Sequence, residues 1–237
     1  MARVQRVVAT VDLNRSFHLA GEDVHALRGV SLNVLPGQFI AVVGRSGSGK
    51  TTLLNLLAGL DTPSSGQVLF EERDMAEMGD RQLTELRRTR LGFVFQSFGL
   101  LPLLSAYENV ELPLRIAGVK ARERNRRTDE VLEIVGLVRR SHHRPYELSG
   151  GEQQRVAIAR AIVHEPVLIL ADEPTGELDS VNARAIFGLF KEMVKDRGIS
   201  VVAATHDSTL LAMADQVVRL SDGRLEEQAT YGQRFRD

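Results

Sequence analysis

The sequence predicts an α/β protein in which a mostly parallel sheet is flanked by helices. Apolar runs typical of strands alternate with segments of helical periodicity, and that alternation is characteristic of parallel sheets. Two observations modify this core. Residues 4–14 and 24–34 are rich in β-branched and apolar residues, which predicts an N-terminal antiparallel β subdomain. The strand pattern disappears between 97 and 163, which predicts an inserted α-helical subdomain.

The remaining elements follow from hydrophobic pattern and from glycine and proline breaks. After the two N-terminal strands, which a turn at 20–23 separates, strands are expected at 39–43, 67–70, 91–95, 167–171, 200–204 and 216–220. Helices are expected at 52–58, 80–90, 105–116, 121–135, 151–163, 180–195 and 208–214. Asp222-Gly223 predicts a tight hairpin into a last short strand. We expect one domain, with an α/β core and β subdomain at 1–96 and 164–227, the insertion at 97–163 and a loosely held tail at 228–237.

Composition excludes several classes of function. The net charge of −1 gives no case for a nucleic-acid partner, and the arginines at 122–127 alternate with acidic residues, as on a solvated helix face. No apolar run approaches the ~18 residues of a membrane helix. The N-terminus lacks the pattern of a signal peptide, and the absence of cysteine excludes disulfides and thiolate metal sites. Any role at a membrane is therefore expected to depend on a partner.

A glycine-rich stretch lies between the strand at 39–43 and the helix at 52–58. It reads Gly44, Arg45, Ser46, Gly47, Ser48, Gly49, Lys50 and Thr51, with the spacing of a P-loop. The glycines let consecutive N–H groups surround a phosphate, and the helix adds the positive end of its dipole. Lys50 supplies a charge for the β- and γ-phosphates, and Thr51 a hydroxyl for Mg²⁺. The stretch predicts a nucleotide site in a P-loop NTPase with a RecA-like sheet.

Polar side chains stand where three other strands end. Asp172 and Glu173 follow the strand at 167–171, where Asp172 is placed to hold Mg²⁺ and Glu173 to polarise an attacking water. Gln96 ends the strand at 91–95 and can sense the γ-phosphate through Mg²⁺ or water. His206 follows the strand at 200–204; a lone histidine is usually structural, but here it can donate a hydrogen bond to the γ-phosphate.

A second glycine-rich stretch precedes the helix at 151–163. It consists of Leu148, Ser149, Gly150, Gly151, Glu152 and Gln153. Ser149 and Glu152 have the spacing of a capping box, which does not account for the two glycines. Glycines at a helix start leave its N–H groups accessible to an anion. One chain cannot easily fold this helix onto its own P-loop, whereas two chains facing head to tail can each complete the site of the other.

These motifs occur in the order seen in ABC-type ATPases, which the chain resembles over about residues 4–226. The resemblance implies that ATP is bound by Phe17, by the P-loop from Gly44 to Thr51 and by Thr52. Phe17 falls where the family usually places a tyrosine that stacks on adenine, although its position alone favours the core. The resemblance further implies catalytic roles for Glu173, His206 and Gln96, Mg²⁺ ligation by Thr51, Gln96 and Asp172, a signature at 148–153 that acts on the partner chain's ATP, and a D-loop at Asp179.

Further segments resemble the lipoprotein-releasing and macrolide-exporter branch (LolD- and MacB-like), among them 59–66, Leu100-Leu101-Pro102, Glu108-Asn109 and 171–176. Glu177 departs from the asparagine or alanine that relatives often carry. The resemblance implies a homodimer or paired ATPase subunit, head to tail, that drives a separate membrane permease from the cytoplasmic face of the inner membrane. The apolar segment 98–104 either forms a groove for a helix of that partner or packs inside the insertion.

Three other classes of ABC-type ATPase have sequence features that this chain lacks, and a fourth does not differ in this way. ATPases that act on chromosomes insert a long coiled coil between P-loop and signature, but the interval from Thr51 to Ser149 contains no sustained heptads. Repair ATPases of the UvrA type carry zinc cysteines, and this chain has none. Translation factors of the ABC-F type carry two cassettes per chain, whereas this chain has one. A FtsE-like ATPase that signals through a membrane partner without transport remains the open alternative.

Overall fold

The computed structural model describes residues 5–19 and 22–229, which form ten strands and seven α-helices. The strands are β1 Val8–Leu19, β2 Glu22–Val34, β3 Phe39–Val43, β4 Ser65–Phe70, β5 Arg73–Asp74, β6 Leu91–Val94, β7 Leu168–Asp172, β8 Ser200–Ala204, β9 Gln216–Ser221 and β10 Arg224–Ala229. The helices are α1 Lys50–Leu57, α2 Asp80–Thr89, α3 Ala106–Ile116, α4 Ala121–Ile134, α5 Gly150–Ile162, α6 Ser180–Arg197 and α7 Ser208–Met213.

The central sheet has six strands in the order β10-β9-β3-β8-β7-β6. All neighbours pair in parallel except β9 and β10, which form the hairpin predicted at Asp222-Gly223. The uninterrupted apolar sequences of β7 and β8 reflect burial on both faces: Ile169 and Val201 pack into one core cluster, and Leu170 and Val202 into the other. The parallel α/β core predicted from the sequence is confirmed.

A second sheet, in the order β2-β1-β4-β5, is antiparallel. It packs with α1 against the face of the central sheet that carries Ile40 and Val42. This confirms the antiparallel subdomain, with longer strands than expected: β1 extends to Leu19 and so includes Phe17. The turn predicted at 20–23 lies partly outside the described residues.

Helices α3, α4 and α5 follow one another between β6 and β7 and pack together with α6 on the opposite face. Ser105 and Ser149 each begin a helix, and each accepts a hydrogen bond from the backbone N–H three residues later. The acidic residues among the arginines at 122–127 pair with them, as for Glu123 with Arg126 and Arg127.

The strongly basic sequence of α2 alone favours a solvated face, but Arg87 donates to the carbonyl of Gly59 and Arg88 to that of Ile116. The last strand continues to Ala229, two residues into the predicted tail, and residues 230–237 lie outside the described residues. Within 5–19 and 22–229, no helix is both long and apolar enough to cross a membrane.

Candidate nucleotide site

The carboxyl ends of β3, β6, β7 and β8 meet in a cleft of about 590 Å³, within the usual size range of small-molecule sites. Ser48, at the base of the P-loop, is buried and is the one P-loop residue that does not line the cleft. The predicted residues that line it are Gly44, Arg45, Ser46, Gly47, Gly49, Lys50, Thr51, Thr52, Gln96, Asp172, Glu173 and His206.

The P-loop turn requires glycine at its end. Gly49, which precedes the first residue of α1, has a φ of 104°, a conformation that L side chains rarely adopt. A Cβ there would also lie 2.9 Å from Leu27 Cδ2 and against the carbonyl oxygen of Ala26. Helix α1 therefore begins directly after this turn, without a capping side chain, and its first residues line the cleft.

The side chain of Lys50 lies between the P-loop backbone and Glu173, the residue that follows β7. Its Nζ donates to the carbonyl oxygens of Gly44 at 2.8 Å and Arg45 at 3.2 Å, and lies 3.9 Å from Glu173 Oε1. The Lys50 and Glu173 side chains are only 11% and 16% exposed. Among the described residues no carboxylate is hydrogen-bonded to this cation, so a phosphate oxygen in the cleft would be a better partner than the carbonyls.

Thr51 and Asp172 form the most direct link across the cleft, with Thr51 Oγ1 donating to Asp172 Oδ2 at 2.7 Å. The described residues contain no group of three or more His, Cys, Asp or Glu side chains arranged to hold a metal. Mg²⁺ does not require one, since it usually takes one or two protein oxygens, water and substrate phosphates. A hydroxyl beside a carboxylate, next to a P-loop, fits that requirement.

Glu173 stands in a constrained backbone position between β7 and β8. Its φ is 44°, in the left-handed region that costs a non-glycine residue roughly 1–2 kcal/mol. Its N–H donates to the carbonyl of Ala204 at 2.9 Å. Its Oε2 lies 2.9 Å from Nδ1 of His206, an exposed side chain. The carboxylate thus lies between Lys50 and His206, with one oxygen toward each.

Sequence reasoning missed four residues that line the cleft, namely Val24, His25, Ala26 and Gly176. Three come from β2, and no residue pattern indicated that this strand reaches the P-loop. Gly176 lies beside Gln96: a Cβ there would be 3.6 Å from Gln96 Nε2.

Phe17 does not line the cleft, but it pairs directly with Val24, which does. Paired residues on neighbouring strands project to the same face of a sheet, so Phe17 extends the Val24 wall. The guanidinium of Arg15 lies 4.3 Å from the centre of the Phe17 ring. The side chain is half-buried. It is therefore not a core residue.

The segment 148–153 and Asp179 do not line the cleft of their own chain. Ser149 N donates to Glu152 Oε2 at 2.8 Å, and Glu152 N donates to Ser149 Oγ at 3.3 Å, which is the capping box expected from the sequence. The hydrogen bond from the Ser149 N–H to the carboxylate lowers the pKa of Glu152. Gln153 donates to the carbonyl of Leu148 at 3.1 Å.

The two glycines of this segment differ in their surroundings. A Cβ on Gly150 would meet nothing closer than 3.7 Å, whereas a Cβ on Gly151 would lie 2.5 Å from Asn182 Cγ and 3.0 Å from Asn182 Cβ. Asn182 Nδ2 in turn donates to Asp179 Oδ2 at 2.7 Å. Hydrogen bonds from Asn182 and Val181 lower the pKa of Asp179. Gly151 thus permits close packing with α6, a reason that the sequence did not reveal.

Comparison with known proteins places this geometry in a family. The family model described as "ABC transporter" matches residues 27–176. The lipoprotein-releasing system ATP-binding protein LolD of Chromohalobacter salexigens is 48% identical over 92% of this chain and 92% of its own. The macrolide export ATP-binding/permease protein MacB of Syntrophobacter fumaroxidans is 43% identical over 92% of this chain, which spans 31% of that longer protein.

A solved structure has the same fold. The ATP-binding cassette MJ0796 of Methanocaldococcus jannaschii, a dimer in a post-hydrolysis state bound to ADP and Pi, superposes with a TM-score of 0.88 at 40% identity. The match covers 94% of this chain and 98% of that one. The family model covers more than half of the chain, and the relatives are similar over nearly all of it. The chain therefore belongs to the ABC transporter family, among its ATP-binding subunits.

Proposed function

We propose that two copies of this chain bind ATP between them, hydrolyse it to ADP and phosphate, and so drive a separate membrane permease. One observation carries the proposal. A single chain brings the P-loop, Asp172, Glu173 and His206 into one cleft but leaves its own signature, 148–153, outside it. The site is therefore incomplete until a second copy supplies that segment.

Binding is the task of the P-loop. Its N–H groups and the N-terminus of α1 face the cleft, and Lys50 exchanges its carbonyl partners for the β- and γ-phosphates. Phe17 and Val24 form the wall beside which adenine binds, with the Arg15 guanidinium over one face of the Phe17 ring. Thr51 and Asp172, which are joined at 2.7 Å, would hold Mg²⁺ together with Gln96, and the ion would neutralise charge on the β- and γ-phosphates.

Hydrolysis is the task of Glu173. Its carboxylate takes a proton from a water whose oxygen bonds to the γ-phosphorus, while the bond from that phosphorus to the β-phosphate oxygen breaks, so that ADP and phosphate leave. Without nucleotide His206 contacts that carboxylate at 2.9 Å, and when ATP is bound it donates its N–H to the γ-phosphate instead. Gln96 lies beside Gly176 at the same edge and registers the presence of the γ-phosphate.

The second copy completes the site. Ser149 and Gly150 stand at the N-terminus of α5, where a Cβ on Gly150 would make only ordinary van der Waals contacts, and they cap the γ-phosphate held by the partner. Asp179 lies beside that segment through Asn182, so the D-loop approaches the same interface. A head-to-tail arrangement meets both requirements.

The permease places the pair at the cytoplasmic face of the inner membrane. A second cleft, of about 410 Å³, lies between α2 and β6 on one side and α3 and α5 on the other. Phe95 and Ile116, at its edge, are 40% and 61% exposed. We assign this cleft to a helix of the permease. Of the segment 98–104, for which the sequence left a groove and packing inside the insertion both open, Gly99 alone lines this cleft. Lipoprotein, peptide or drug-like substrates and a signalling role without transport all remain compatible with this site.

Replacing Glu173 with glutamine tests the proposal. The amide cannot accept a proton or polarise water comparably, so the Glu173→Gln variant should bind ATP normally, lose turnover by at least about 100-fold, and remain dimeric with ATP trapped. ATP hydrolysis and sedimentation would be measured on the permease-bound and free subunits. Glu192→Gln, the same change at an exposed residue of α6 that does not line the cleft, is the matched control and should retain activity. Wild-type hydrolysis by Glu173→Gln would contradict the assignment.

A further inference from the structure

Arg160 is a charged residue of α5 that none of the steps above uses. Its Nη1 donates to the carbonyl oxygen of Gly99 at 2.5 Å, and its Nη2 to that of Phe98 at 3.0 Å. Burial of the guanidinium lowers its pKa. In the described part of the chain no carboxylate forms an ion pair with it, whereas Arg124, in the neighbouring helix α4, pairs with Glu111. The two Nη groups of the Arg160 guanidinium, which form a fork, therefore bind those two carbonyls.

The segment held by Arg160 is strained and directly follows Gln96. Phe98 and Gly99 both have a φ of 59°, and for a bulky side chain such as phenylalanine this conformation is unfavourable. Local hydrogen bonds join Gly99 N to Ser97 O at 2.6 Å and Phe98 N to Phe95 O at 3.3 Å. A turn of this kind keeps its shape only when its surroundings hold it, and Arg160 supplies two charge-assisted hydrogen bonds.

The same turn reaches the start of α5 by a second contact. A Cβ on Gly150 would lie 3.7 Å from Phe98 Cζ, so the ring packs beside the glycine of the signature. Arg160 lies near the other end of the same helix. The turn after Gln96 is thus attached to α5 at both ends, by hydrogen bonds at Arg160 and by apolar contact at Gly150.

We propose that Arg160 is a positioning residue that transmits a displacement of Gln96 to the signature segment 148–153. When Gln96 shifts toward a bound γ-phosphate, the turn at 97–99 moves with it. Because the guanidinium grips two consecutive carbonyls of that turn, α5 follows as a rigid body and reorients Ser149 and Gly150. The inference rests on the proposed sensing role of Gln96.

Hydrogen exchange in the full chain tests this inference at two places. Exchange would be measured on peptides covering 97–99 and 149–155, with and without a non-hydrolysable ATP analogue and Mg²⁺, at a concentration where sedimentation shows a monomer. In the unmodified chain the analogue should change exchange in both peptides. Arg160→Lys keeps the charge but loses the fork, and Arg160→Met keeps the stem but loses the donors. Both should retain the response at 97–99 and reduce that at 149–155 about tenfold, as expected for a lost charge-assisted hydrogen bond.

Arg124→Lys is the matched control, because Arg124 donates to the Val119 carbonyl and pairs with Glu111 entirely within 106–134. It should leave both responses intact, although it breaks a fork of the same kind. A full response at 149–155 in Arg160→Met, or the same loss in Arg124→Lys, would overturn the role of Arg160. No response at 97–99 in the unmodified chain would instead overturn the sensing role of Gln96, and the inference with it. Thermal unfolding of each variant verifies that it is folded.

Discussion

At the scale of single residues, the surroundings of the Lys50 ammonium group explain why the cleft favours a phosphate. It lies between two carbonyl oxygens of the P-loop and the carboxylate of Glu173, and its side chain is only 11% exposed. A cation held mainly by neutral carbonyls keeps most of its capacity to bind an anion. The P-loop is in this sense prepared for a phosphate before one arrives.

Replacement of Lys50 by alanine should therefore weaken ATP binding by roughly 10- to 100-fold, the value of a charge-assisted hydrogen bond. Titration with a fluorescent ATP analogue would measure the loss. Lys50 also donates hydrogen bonds to the carbonyls of Gly44 and Arg45, so the stability of the variant must be checked by thermal unfolding as well. Affinity within twofold of the unmodified chain, in a folded variant, would contradict the role of Lys50.

The sequence was sufficient to predict most residues of this cleft, because motif spacing and strand ends determine where they lie. Lys50, Asp172 and His206 each follow a strand of one parallel sheet, so their meeting at one edge follows from topology. Val24 and His25 were not predictable in this way. They reach the cleft because a separate antiparallel sheet packs over the P-loop, and that packing leaves no periodic signal in the sequence.

At the scale of elements, the start of α5 has two glycines, and glycine is favoured at each position for a different physical reason. Gly151 is buried against Asn182, and Asn182 is bonded to Asp179, so the signature and the D-loop of one chain are joined. A Cβ on Gly150 would have its nearest described neighbours at 3.7 Å. The sequence predicted accessible N–H groups at both glycines. It could not distinguish Gly151, because the close approach of α6 is a tertiary contact that leaves no local signal in the sequence.

These surroundings predict opposite effects for two identical substitutions. Gly151→Ala would place a methyl group 3.0 Å from Asn182 Cβ, which cannot rotate away, and should lower the free energy of unfolding by about 1–3 kcal/mol. Gly150→Ala should leave that free energy unchanged or raise it by up to about 1 kcal/mol, yet impair ATP-driven dimerisation. Urea unfolding and sedimentation distinguish the two. Equal destabilisation by both would refute this account of the segment.

The cleft between α2, β6, α3 and α5 yields a second prediction at this scale. Ile116→Asp places a charge on an exposed apolar edge of that cleft, so it should abolish stimulation of the ATPase by the permease while the isolated subunit keeps its basal rate. Leu103→Asp is the matched control, because Leu103 is 80% exposed but does not line the cleft. If stimulation survives in Ile116→Asp, or is lost equally in Leu103→Asp, the permease docks elsewhere.

At the scale of the whole molecule, the chain presents two half-sites on different parts of its surface. The cleft around Lys50 contains the groups that bind and hydrolyse, and the start of α5 carries groups that face no ligand of their own chain. The dimeric cassette MJ0796, similar over 94% of this chain, shows that the fold assembles in pairs. We infer that the pair, rather than the single chain, is the unit that closes on ATP.

Mixing two inactive variants tests this claim most directly. Lys50→Ala disables the P-loop, and Ser149→Arg places a bulky cation at the signature, so each homodimer has two faulty sites. In the mixed dimer one site combines both defects, while the other pairs an intact P-loop with an intact signature. Heterodimers would be purified through two different tags, and thermal unfolding would verify that Ser149→Arg is folded despite the lost cap of α5.

Occluded nucleotide would then be measured with a non-hydrolysable ATP analogue. If each site is shared between two chains, the mixed dimer should occlude one nucleotide, although neither homodimer occludes any. If the site were completed within a single chain, the Lys50→Ala and Ser149→Arg defects would stay in separate chains and mixing would restore nothing. No gain in occluded nucleotide in the purified heterodimer would contradict the account.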